Sequence, residues 1–116
     1  MKKGIGIDIV AIDRVKTAVK EHGNKFLSKV YTPDEVSYCS NRKALKYPEL
    51  AARFAAKEAY AKAIGTGMRG IRWKDIEVLN EKSGKPYICV KGRRNKSALV
   101  SLSHDYQNAI ACVVVM

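Results

Sequence analysis

Two acidic side chains and a lysine carry much of the chemical content of this sequence. Glu58 and Lys62 lie four apart in RFAAKEAYAKAIGTG, residues 53–67, so a helix puts them one turn apart on one side. Arg53 and Lys57 form a second pair at the same spacing, with Phe54 between the two pairs. The stretch ends in Gly65, Thr66 and Gly67, a turn whose backbone N–H groups suit a phosphate. Asp8 stands far away in the chain, in GIGIDIV, beside Gly4 and Gly6, which should leave open space on their strand face. SLSH offers Ser101, Ser103 and His104 near a strand end. Two carboxylates, several cations and a glycine turn are the parts of a Mg²⁺–polyphosphate site. The same charges on the helix also fit an ordinary solvent-facing stripe, each pair worth a few tenths of a kcal/mol. Periodicity joins Glu58 to Lys62, but it does not bring Asp8 or His104 to them.

The elements that must position these residues are readable. GIGIDIV alternates, with Ile5, Ile7 and Ile9 on one face and Gly4, Gly6 and Asp8 on the other, as in a half-buried strand. The first ten residues, MKKGIGIDIV, loosely resemble a signal peptide, but Asp8 and Asp13 interrupt the apolar run and no small-residue cleavage site follows. DRVKTAVKEHG reads as a helix with Asp13 as N-cap and Val15, Ala18, Val19 and His22 inward. Thr32, Pro33 and Glu35 spell a capping box at a second helix start. A long helix should run from Pro48 to about Ile64 and stop at Gly65, with Ala52, Ala55, Ala56, Ala59, Ala63 and Tyr60 on its packing side. DIEVL and PYICV form one strand pair across NEKSGK, and ALVSLSH and AIACVVV a second across DYQN. The predicted class is α+β in a single domain spanning residues 1–116, an antiparallel sheet packed against a long Ala-rich helix.

Composition narrows the partners. The 116 residues hold 22 basic and 11 acidic side chains, a net charge of +11, which draws polyanions to the surface. Nucleic acid, anionic lipid, phosphorylated small molecules and acidic proteins all fit that charge. No basic strand interleaved with aromatic residues argues for nucleic acid, and no apolar run reaches the ~20 residues of a membrane span. Three widely spaced cysteines, without a CxxC, suit a reducing cytoplasm. Arg14, Lys16, Lys20 and Lys25 make the most coherent exposed basic face, with Phe26 and Phe54 as apolar contacts nearby.

Taken together and in order, GIGIDIVAIDR, RFAAKEAYAKAIGTG, DIEVLNEKSGKPY and SLSHD resemble the holo-[acyl carrier protein] synthases, the small bacterial 4′-phosphopantetheinyl transferases. The resemblance covers nearly the whole chain. It implies a 4′-phosphopantetheinyl transferase-like fold and transfer of 4′-phosphopantetheine from coenzyme A to a serine of apo-acyl carrier protein. It also implies release of adenosine 3′,5′-bisphosphate, a Mg²⁺ requirement and a place in fatty acid biosynthesis. Asp8 and Glu58 match the metal ligands, and Lys62 the lysine beside the pyrophosphate. Arg53, Lys57, Gly65, Thr66, Gly84, Lys85, Pro86 and His104 match positions around coenzyme A. The catalytic set so implied is Glu58, Lys62 and Asp8, with Glu58 the first candidate for the base and Asp8 the second. The basic face of Arg14, Lys16, Lys20 and Lys25 then suits an acidic acyl carrier protein. Family members of this length are typically homotrimers with sites at subunit interfaces. Ala11, Ala52, Arg69 and the DYQN turn depart from the residues usual at their positions.

Overall fold

Glycine and alanine set the spacing between the first strand and the longest helix. The computed structural model of the chain describes residues 3–42 and 44–116; Met1 and Lys2, at the start of the stretch read as a strand, lie outside them. The elements are β1 (Gly4–Ala11), α1 (Ile12–His22), α2 (Asn24–Val30), α3 (Pro33–Tyr38), α4 (Tyr47–Ala63), β2 (Ile76–Asn80), β3 (Pro86–Val90), β4 (Arg93–Arg94), β5 (Ala98–His104) and β6 (Asn108–Val115). The strands form two antiparallel three-stranded sheets, ordered β1-β6-β5 and β2-β3-β4, so the α+β class holds with two sheets in place of one. Helix α4 packs on β1 and β6 and also reaches β2.

The face of β1 that meets α4 is the glycine face. A Cβ on Gly4 would lie 1.8 Å from the carbonyl oxygen of Ala63, and one on Gly6 would lie 1.9 Å from that of Ala59. The open space expected beside these glycines is therefore filled by helix backbone. Strand β1 is inverted relative to a simple hydrophobic-in reading: Gly6 and Val10 are buried, while Ile5, Ile7 and Ile9 are 70%, 57% and 62% exposed. Only residues without bulk admit a helix this close, which is why α4 spends alanines at Ala55, Ala56, Ala59 and Ala63. On the outer face, Ile5, Val114 and Leu99 lie in register across three strands.

The capping box is present: Glu35 N–H donates to Thr32 Oγ1 at 3.3 Å, and Thr32 N–H to Glu35 Oε1 at 3.0 Å. Helix α4 starts with Pro48 in its first turn and gives way to Gly65 at φ 86°, as its stop signal required. Helix α1 differs in detail. Ala11 takes the N-cap position and Asp13 sits inside the first turn, because the Ile12 N–H is satisfied at 2.8 Å by the Gln107 carbonyl from across the chain. His22 is exposed, not inward. Helix α2 carries no strong sequence signal; Gly23, at φ 54°, separates it from α1.

Gly6→Ala tests the close approach of β1 and α4. Overpacking against backbone cannot be relieved by a rotamer change, so the variant should lose about 3 kcal/mol or fail to fold. Urea unfolding of wild type and variant measures this; a difference within about 0.5 kcal/mol would show that the two elements can separate freely.

Candidate functional site

Asp8 follows Gly6 by two residues on the same strand face, so the close approach of β1 to α4 also delivers its carboxylate to the helix. Lys62 Nζ donates to Asp8 Oδ1 at 3.3 Å and to the Ile7 carbonyl at 3.0 Å. The other Asp8 oxygen, Oδ2, is buried and has no hydrogen-bond partner. Glu58 emerges half-buried beside it. Burial, and then the negative charge of Asp8, push the Glu58 carboxyl above its ordinary range, while Arg14 and Lys62 pull it down. Asp8, Glu58, Lys62 and Arg14 thus share one corner. A carboxylate with an orphaned oxygen, facing a second carboxylate that its charge perturbs, fits a hard cation. No group of three or more His, Cys, Asp or Glu side chains forms a metal cluster among the described residues. A cation here would take its remaining ligands from water and from the oxygens of a bound phosphate, which is the habit of Mg²⁺.

Other residues singled out in the sequence gather elsewhere. A cleft of about 460 Å³ is lined by Glu49, Asn80, Gly84, Lys85, Pro86 and His104, among others. Asn80 Nδ2 donates to the Gly84 carbonyl at 2.9 Å and holds this turn. His104 Nε2 lies 3.6 Å from Glu49 Oε1. None of Asp8, Glu58, Lys62, Gly65 or Thr66 lines this cleft. The residues matched to coenzyme A therefore form two groups on one chain. The Gly65–Gly67 turn is less free than its composition suggests: Gly65 N–H donates to the Lys62 carbonyl at 3.1 Å, and the Thr66 hydroxyl to the Gly67 carbonyl at 2.8 Å.

Two basic residues expected on an open helix face are inside. Lys57 is fully buried, and its ammonium donates to the Val30 carbonyl at 2.6 Å, Glu35 Oε1 at 2.7 Å and the Trp73 carbonyl at 3.1 Å. An ammonium has three protons to donate, so no donor remains for a coenzyme phosphate. Burial pushes its pKa below the ordinary lysine range and Glu35 opposes that shift. Glu35 is also fully buried and accepts the Val78 N–H at 2.9 Å, which ties α3, α4 and β2 at one point. Arg53 is likewise buried. It pairs with Glu49 at 3.5 Å, donates to Asn80 Oδ1 and stacks over Tyr38 at 4.5 Å. Its contacts support the cleft wall from behind.

On the basic face, Arg14, Lys16, Lys20 and Lys25 are exposed as expected. Phe54 is corrected: only 8% exposed, it stacks on Trp73 at 4.6 Å and Phe26 at 6.4 Å and cannot serve as a surface contact. Phe26 remains half-buried, and Arg14 lies over the Phe54 ring at 5.7 Å. Sequence reasoning missed Glu35 as a buried counter-charge, Asn80 and Glu49 as cleft residues and Trp73 as a wall. Only Glu35 had a signal, its capping box, and that pointed to a helix end.

The family model of the 4′-phosphopantetheinyl transferase superfamily matches residues 4–114. The chain is 48% identical to the holo-[acyl-carrier-protein] synthase of Halothermothrix orenii, over 98% of this chain and 97% of that one. In structure it is similar to the Helicobacter pylori holo-[acyl-carrier-protein] synthase in complex with coenzyme A, with a TM-score of 0.84, 34% identity and coverage of 97% of this chain and 99% of that one. It is also similar to a Bacillus anthracis holo-(acyl-carrier-protein) synthase in complex with CoA (3′,5′-ADP), with a TM-score of 0.79, 34% identity and coverage of 97% and 94%.

The buried pair is open to a double-mutant test. Lys57→Met and Glu35→Gln should each destabilise the fold by about 3 kcal/mol, because each strands the other group. The double variant should lose clearly less than the sum. Urea unfolding of all four proteins measures the coupling; additive losses would show that the two groups do not depend on each other.

Proposed function

The chain belongs to the 4′-phosphopantetheinyl transferase superfamily and is an enzyme of the holo-[acyl-carrier-protein] synthase kind, and from that premise we propose how its residues divide the work. The substrates are coenzyme A and an acidic apo-acyl carrier protein, and the reaction requires Mg²⁺. A serine oxygen of the carrier attacks the coenzyme's β-phosphorus, the bond to the oxygen of the nucleotide's 5′-phosphate breaks, and adenosine 3′,5′-bisphosphate leaves. The observation that carries this reading is the orphaned Asp8 Oδ2 beside Glu58 in a chain of this family. The 3′,5′-ADP named with the Bacillus anthracis relative fits the same product. The modified carrier serves fatty acid biosynthesis, and the free thiols of Cys39, Cys89 and Cys112 suit work in the cytoplasm.

Asp8 and Glu58 would hold the metal. Bound there, Mg²⁺ supplies charge neutralisation on the pyrophosphate oxygens. Glu58, half-buried at this corner, accepts the serine proton. Lys62, half exposed at the end of α4, reaches the departing phosphate and donates to it. Much of the rate then comes from positioning and electrostatics, as is usual in phosphoryl transfer. Gly84, Lys85, Pro86 and His104 hold the nucleotide end, with Arg53 supporting their cleft from behind; Gly65 and Thr66 shape the turn beside Lys62.

These two groups of residues support an assembly in which one chain's metal corner faces its neighbour's nucleotide cleft, as in a homotrimer with sites between subunits. The exposed Ile5, Ile7, Ile9 and Leu99 give such an assembly an apolar surface to bury. The carrier protein docks on Arg14, Lys16, Lys20 and Lys25, with Phe26 as the apolar contact.

Intact mass spectrometry of an apo-acyl carrier protein, incubated with this protein, coenzyme A and Mg²⁺, tests the reaction. The carrier should gain one phosphopantetheine, and EDTA should abolish the gain; no gain with several carriers would refute the reading. In the same assay Glu58→Gln should lose at least about 100-fold in turnover while staying folded, and Lys20→Glu should raise the carrier KM. Normal turnover in Glu58→Gln would remove it from the mechanism, and an unchanged KM in Lys20→Glu would move the docking face elsewhere. Sedimentation checks the assembly: Ile7→Glu should convert a trimer into monomers, and a monomeric wild type would exclude it.

A further inference from the structure

Lys62 is bound to the very carboxylate that the metal needs. Its ammonium meets Asp8 Oδ1 at 3.3 Å and is steadied by the Ile7 carbonyl at 3.0 Å. Asp8 is mostly buried, with a side-chain exposure of 13%, while Lys62 is 53% exposed and free to swing. The remaining Asp8 oxygen, buried and unpartnered, is the one left for a cation. A divalent ion there lies close to the Lys62 ammonium and is repelled by it. The two negative charges of Asp8 and Glu58 are already offset in this corner by Lys62 and Arg14. A polyphosphate changes the balance. It adds negative charge and oxygen acceptors that suit an ammonium better than one shared carboxylate does.

We propose that Lys62 is an internal counter-cation that competes with the divalent ion for Asp8, so that the ion binds tightly only together with a polyphosphate that draws Lys62 onto its own oxygens. The lysine thereby couples two binding events, and the coupling is reciprocal: whatever coenzyme A adds to metal affinity, the metal adds to coenzyme A affinity. The arrangement also keeps the carboxylates paired between turnovers, which spares a half-buried cluster of like charges. This inference rests on Asp8 and Glu58 being the metal ligands.

Titration with Mn²⁺, followed by the electron paramagnetic resonance signal of the free ion, tests it without reference to turnover. Wild type should bind Mn²⁺ weakly alone and much more tightly with coenzyme A present. Lys62→Met should bind Mn²⁺ alone about tenfold more tightly than wild type, and the gain from coenzyme A should shrink. Lys62→Gln serves as a second variant, and circular dichroism confirms that both are folded. Equal or weaker Mn²⁺ binding in both variants overturns the inference; weaker binding restored by Lys62→Arg would show that the lysine orients Asp8 instead. Asp8→Asn separates the two levels. If it leaves Mn²⁺ binding unchanged with and without coenzyme A, or if wild type binds no Mn²⁺ in either condition, the metal-ligand reading itself fails. If Asp8→Asn abolishes binding but the Lys62 variants do not tighten it, only the competition fails.

Discussion

The approach of the α4 backbone to the glycines of β1 is the constraint on which the rest of the structure depends. Where most strands would offer a layer of side chains, Gly4 and Gly6 accept the carbonyl oxygens of Ala63 and Ala59 directly. The strand and helix therefore lie closer than branched side chains permit. The next inward residue that is not a glycine is Asp8, and it has nowhere to go but along the edge of α4, where Glu58 and Lys62 emerge. Packing and chemistry are the same event here: the small residues that let the elements touch also bring an acid from the start of the chain to an acid and a base from its middle.

A second constraint shapes the walls. Lys57 lies next to Glu58 in sequence but points into the core, where it binds Glu35 and the carbonyls of Val30 and Trp73. One charged pair thus anchors the ends of α2 and α3, the turn at Trp73 and, through Val78, strand β2. A buried pair of this kind is weak evidence for stability, since an apolar replacement of both partners can do as well. Its consequence is geometric: Trp73 is held against Phe54, and Phe54 against Arg14, beside the Glu58 carboxylate. Neighbouring positions on one helix therefore divide between the core, at Lys57, and the corner shared with Asp8, at Glu58.

The close packing of the inner β1 face has a counterpart on the outer one. With glycines turned inward, the isoleucines of β1 face out, joined across β6 to Leu99. An apolar sheet face of this kind is costly to leave in water. The same inversion that brings Asp8 to Glu58 and Lys62 therefore also leaves an exposed apolar face on the sheet.

How much of this was legible depends on the range of each interaction. The class of the fold, the bounds of α4, the capping box at Thr32 and both hairpins follow from local rules, because a cap, a turn residue and a period of alternation each act within a few residues. The corner residues Asp8, Glu58 and Lys62 were readable as chemically apt types, and the family blocks tied them together, though periodicity alone could not bring Asp8 to the helix. Alternation alone did not say which face of β1 is buried, and the open space expected beside its glycines is filled by helix backbone. Isoleucine predicts burial when a sheet packs side chain against side chain, but the partner here is a helix of alanines whose backbone fits only against glycine. Lys57 and Arg53 were misread for a related reason: a buried charge is tolerable only when distant groups complete its hydrogen bonds, and Glu35, Val30 and Asn80 are distant in sequence. The amino-acid sequence by itself determined which elements form and which side chains could react. The tertiary structure decided which charges stay inside and which meet at the surface, because desolvation and pairing depend on neighbours that no local pattern names.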